Sequence, residues 1–136
     1  MSSKDEIAAF LAKDFPQNRC VVDDVGQRKA TVSLDVGIGD LRPGGTVSGP
    51  VLMTVADLAL YVAVLGEIGI VPLTVTTSLT MNFLRKPAAG KRIVGECTLL
   101  KLGKSLAVGE VSIYSDGTAD PVAHAVGTYS IPPNIR

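Results

Sequence analysis

The sequence has no tryptophan, one histidine and two cysteines, and its 13 basic and 13 acidic residues cancel. Each shortage excludes something. Cys20 and Cys97 are far apart and form no CxxC or Cys/His ligand pattern, so neither a metal site nor a cofactor is expected. A reducing compartment, the cytoplasm, suits two such cysteines. Neither sign of charge gathers in a long block, which argues against a nucleic-acid partner and against a polybasic membrane anchor. The N-terminal residues carry charges but no apolar core followed by a cleavage site, so export is not expected. The apolar run at 50–65 is shorter than the roughly 20 residues a bilayer span needs, and Asp57 sits in its centre. It reads as a core helix.

What is present is a chain of 136 residues, 46% of them hydrophobic, enough for one domain with a sizeable core. That domain spans 1–136, with its core at about 20–131. Ser3 with Glu6 makes a capping box ahead of Ile7, Phe10 and Leu11, predicting a short helix that Pro16 stops. Strands are expected at 19–25 and 30–36, followed by a glycine-rich loop. A long helix should begin at Pro50, capped by Ser48 or Gly49, and end near Gly66. From 74 onward the pattern alternates, with Val75, Leu79, Met81 and Phe83 on one parity and Thr74, Thr76, Ser78, Thr80 and Asn82 on the other. Further strands are expected at about 92–102, 105–114 and 121–131. An all-round apolar helix followed by antiparallel strands is hidden only if a curved sheet wraps around it, which is an α+β layout.

Several catalytic patterns fail on spacing. Ser48, Asp57 and His124 follow the chain order of a hydrolase triad, but Thr46 and Pro50 stand where a nucleophile elbow needs glycine. Gly103-Lys104-Ser105 imitates the end of a phosphate loop, yet Thr98 occupies the position of its first glycine and a strand follows. His124 lies in a strand among small residues and receives no role. Asp57 is different. A carboxylate inside an oily helix costs several kcal/mol unless it is paired, neutralised or opens onto water, and no basic residue occurs between Gly44 and Asn82. Two readings stand: Asp57 orients the helix through hydroxyl and backbone donors, or its desolvation tunes it as a general base.

Four segments carry a family resemblance: GGTVSGPVLMTVAD at 44–57, TMNFLRKP at 80–87, GKSLAVGEV at 103–111 and VAHAVGTY at 122–129. Together they resemble the hotdog-fold acyl-CoA thioesterases of the PaaI type. The resemblance implies a hotdog fold of about six antiparallel strands around one long helix. It also implies homodimers joined edge to edge, often paired into homotetramers, with active sites between subunits. Asp57 matches the family's helical acid. Ser48-Gly49-Pro50 stands where relatives carry His-Gly-Gly, Gly49 retains the glycine whose amide polarises the thioester carbonyl, and Arg42 takes the place of an upstream asparagine.

Helix geometry supports the same residues independently. Unpaired amides at Gly49 and Val51 suit an oxygen that gains negative charge. Asp57 lies about 10 Å further along the axis, so one helix supplies both groups to a single substrate only awkwardly; a two-fold dimer does so readily. Asp57 then acts on an acyl-CoA either as base for a water or as nucleophile, both of which remain open. Thr76 and Ser78 are expected to hold Asp57 or the water. Arg42, Ser48, Asn82, Arg85, Lys86 and Lys104 are expected to bind substrate, the cations meeting CoA phosphates. A non-catalytic acyl-CoA sensor on the same fold is the alternative.

Overall fold

The computed structural model describes residues 1–133. Its order is α1 (Lys4–Asp14), β1 (Val21–Gly26), β2 (Lys29–Leu34), a 3-10 turn (Ile38–Asp40), α2 (Gly49–Ile68), β3 (Val75–Phe83), β4 (Ile93–Leu102), β5 (Leu106–Ser115) and β6 (Ala123–Ser130). The strands form one antiparallel sheet in the order β1-β2-β4-β5-β6-β3, wrapped around α2. This is the hotdog fold. α1 is capped as its sequence dictates: Ser3 N–H donates to Glu6 Oε1 at 2.8 Å, and Glu6 N–H to Ser3 Oγ at 3.2 Å.

The sheet accepts an apolar helix because its inner face is floored with small side chains. Ala123, Ala125 and Gly127 alternate inward along β6, Ala107 and Gly109 along β5, and Gly95 on β4. A Cβ on Gly127 would lie 2.5 Å from Leu60 Cδ1, and one on Gly109 2.7 Å from Leu60 Cδ2, so glycine is needed wherever the helix presses closest. Leu52, Val55, Leu60, Val62, Val64 and Leu65 fill the remaining space at 2% exposure or less.

Helix α2 runs past the expected stop. Gly66 stays helical and buried because β1 packs there, with Val25 Cγ1 2.7 Å from where a Cβ would be. The break comes at Gly69, whose φ of +94° suits glycine and whose N–H closes on Leu65 O at 2.9 Å. At 20 residues the helix is long and apolar enough to cross a membrane by length and composition, so length is not what identifies it as a core element. Its burial does that: 67% of its most apolar stretch is covered by the fold.

Candidate active site

The approach to α2 is fixed by one ion pair between a half-exposed Arg19 and a buried Asp40. Asp40, at the end of the 3-10 turn, accepts Arg19 Nη1 at 2.9 Å and Nη2 at 2.6 Å on its two oxygens, and Gly37 N–H at 2.8 Å. Its main-chain oxygen takes the Ser48 N–H at 2.8 Å, which sets the residue that begins the helix. The Arg19 guanidinium holds the Asp40 carboxyl below its ordinary range despite burial that opposes this. A group depressed in the folded state contributes stability above its unfolded value, near pH 4, and that contribution is lost as pH falls through the folded value. Arg19→Met is therefore expected to lower Tm by about 5 °C at pH 7. The gap to wild type should close below about pH 4, as read by thermal denaturation across pH; a gap independent of pH would mean that the pair acts only through packing.

Ser48 caps α2 by backbone alone, since its side chain makes no capping hydrogen bond. The first helical bond is Leu52 N–H to Ser48 O at 3.3 Å. Pro50 has no donor, and the Gly49 and Val51 amides have no acceptor among the described residues. The helix dipole therefore ends on two free N–H groups. Gly49 lies against the half-exposed ring of Phe83, 3.3 Å from where a Cβ would project.

Two turns further along, Asp57 opens onto a cleft of about 750 Å³ between α1, α2 and the start of β3. The α2 face of the cleft is Val51, Thr54, Asp57, Leu58 and Tyr61, an i, i+3, i+4 row. Asp57 is half-buried. Its Oδ1 accepts the Thr76 hydroxyl at 2.6 Å and the Tyr129 hydroxyl at 2.7 Å, while Oδ2 has no partner among the described residues. Among the described residues, no cation touches it. The helical carboxylate is thus stabilised by neutral donors on one oxygen and solvated through the cleft on the other, which leaves it chemically competent.

A bulge makes this possible. Along β3, Thr76 pairs with Tyr129 and Ser78 with Thr128, so Thr77 is an extra residue. Thr76 is thereby turned inward with Leu79 and Met81, and Val75 outward. The alternation read from sequence therefore breaks at Thr77, and Ser78 does not join Asp57: it is exposed on the opposite face with Thr80 and Asn82. Asn82, paired with His124, does not line the cleft. Arg42 is exposed in the turn closed by its own N–H on Thr46 O at 2.9 Å, and it does not line the cleft either. Arg85, Lys86 and Lys104 are exposed, with Arg85 Nη1 anchored on Pro121 O at 2.7 Å. Gly49 and Ser48 also lie outside the cleft of their own chain. Of the ten expected site residues, one chain brings together only Asp57 and Thr76.

Comparison with known proteins bears on this arrangement. Residues 44–122 match the family model of the thioesterase superfamily. A presumed thioesterase from Silicibacter sp. TM1040 is 43% identical, covers 96% of this chain and 92% of its own, and superposes with a TM-score of 0.88. This chain belongs to the thioesterase superfamily. It is a thioester hydrolase with the hotdog fold. Two more distant structures share that fold: the Escherichia coli PaaI protein of the phenylacetic acid degradation operon (22% identity, TM-score 0.73, covering 93% of this chain and 88% of its own) and a hypothetical thioesterase from Streptococcus pneumoniae with coenzyme A (18%, 0.73, covering 84% and 86%). No curated protein matches the chain.

The stretch matched to the thioesterase superfamily contains Gly49, Asp57 and Thr76 but ends before Tyr129. Tyr129, Arg19 and Asp40 are the residues of the site to which sequence reasoning gave no role. Tyr129 left a signal: it is the one large residue at the end of the small inward series Ala123, Ala125, Gly127 on β6. Arg19 and Asp40 left none, because nothing in their spacing joins them.

Proposed function

We propose that the substrate is an acyl-CoA and that hydrolysis centres on Asp57. The observation that carries this reading is the open Oδ2 of a carboxylate whose other oxygen is already held by two hydroxyls. In the general-base form, Oδ2 takes a proton from a water whose oxygen attacks the thioester carbon. The carbonyl oxygen gains charge against the Gly49 amide of a second subunit. When the C–S bond breaks, the thiolate of CoA takes back the proton, leaving free acid and CoA. In the alternative form Oδ2 itself attacks the carbon and CoA leaves as its thiolate; water then cleaves the anhydride to free acid and a protonated Asp57, whose proton passes to the thiolate. CoA as carrier is supported by the fold-related structure with coenzyme A. Arg85 and Lys86, on one exposed loop, and Lys104 suit its phosphates.

The dimer rests on β3. This edge strand, VTTSLTMNF, has no proline and no charge to discourage pairing, and Leu73, Val75, Phe83 and Leu84 around it are exposed. Pairing two such edges covers that surface and brings a second α2 start toward Asp57. Co-expressing Asp57→Ala with Gly49→Pro tests the shared site. In a random mixture of the two inactive variants, about a quarter of wild-type hydrolysis should return, because half of the mixed dimers' sites carry neither change. No recovery would place both groups in one subunit; no turnover of any CoA thioester by the wild type would overturn the choice of substrate in favour of acyl-CoA sensing.

A further inference from the structure

We propose that Tyr129 is a positioning residue that commits Asp57 to react through Oδ2. The inference rests on the reading of Asp57 as base or nucleophile, and concerns what aims it. A carboxylate oxygen presents two lone pairs, and Oδ1 spends both: one on Thr76 at 2.6 Å, one on Tyr129 at 2.7 Å. With two donors on one oxygen and none among the described residues on the other, rotation of the carboxyl group is opposed. Oδ2 is left facing the cleft.

The phenol is well built for this task. Tyr129 is 3% exposed, and its ring stacks on Tyr61 at 5.9 Å and 27°. Tyr61 is itself tied to Pro72 O at 3.1 Å. The Tyr129 hydroxyl also lies 2.9 Å from the main-chain oxygen of Asp57, so one proton faces two acceptors of the same residue. It can favour the carboxylate while that group is charged and turn to the main chain once Oδ2 has gained a proton. Burial, reinforced by the Asp57 charge, drives loss of the phenolic proton far up the pH scale, so Tyr129 remains a donor throughout the working range. Thr76 shares the task but lies on an edge strand; Tyr129 comes from β6, paired on both sides.

Other titratable groups lining the cleft are Asp14 at the end of α1, the Arg19–Asp40 pair and Tyr61 on α2; β3 contributes none. Tyr129→Phe keeps the ring and its stacking but removes the donor. Expected are a kcat lower by about tenfold and a KM within about twofold. Incorporating 3-fluorotyrosine at 129, a donor of nearly the same size, should keep kcat near the wild-type value and guards against a fold defect in the phenylalanine variant.

A wild-type kcat in folded Tyr129→Phe would overturn the proposal, as would a raised KM at unchanged kcat. An active Asp57→Asn, measured alongside, would instead remove the reading beneath it.

Discussion

Asp57→Asn is expected to retain the fold and oligomeric state of the wild type and to lose at least about a hundredfold in kcat on its thioester substrate. Asparagine is the informative change because its amide oxygen still accepts from Thr76 and Tyr129, now 2.6 and 2.7 Å from Oδ1. Only the basic oxygen is replaced, by an NH₂ that takes no proton and attacks no carbonyl. Alanine would also strand two hydroxyls in a partly buried site, mixing stability with chemistry. Stopped-time release of free thiol, together with a thermal melt, separates the two. Activity within tenfold of wild type in a folded Asp57→Asn would retire the carboxylate as the reacting group.

Gly49→Pro should cost a comparable amount, about a hundred- to a thousandfold in kcat, the range found when one donor to a developing oxyanion is lost. The structure makes the experiment readable because the Gly49 N–H has no acceptor among the described residues; its removal breaks none of the hydrogen bonds they make. The complication is Phe83, whose ring would meet any added Cβ at 3.3 Å. Gly49→Ala is the matching control: it makes the same contact but keeps the amide, and the half-exposed ring has room to yield. A rate lost in the proline variant and largely kept in the alanine variant assigns the effect to the N–H. Equal losses in both would assign it to crowding against Phe83.

The fold was legible because its signals are local and strong. The α1 capping box, the alternation of β4 to β6 and a helix apolar on every side each follow from neighbouring residues. Asp57 was legible for the converse reason, as the single charge where hydrocarbon prevails. What sequence could not reveal was three-dimensional register. The extra residue at Thr77 swaps the faces of β3, so Thr76 meets Asp57 while Ser78, two positions on, faces away from it. Helix α2 passes Gly66 because Val25, forty-one positions earlier, needs the space there. The Arg19–Asp40 pair and the Tyr129–Asp57 bond are likewise products of folding, joining segments 21 and 72 positions apart.

The close seating of Leu60 over Gly109 and Gly127 has a bearing on how substrate preference can change. On its sheet side the central rod has no slack, so enlarging or shrinking the cleft from that direction would displace Asp57. The opposite wall is freer: Phe10 and Phe15 belong to a peripheral helix and its exit, and Phe10 sits 6.4 Å from Tyr61. A change in the size of the cleft is thus accommodated more readily at these two rings than on the sheet side, leaving Asp57 in place.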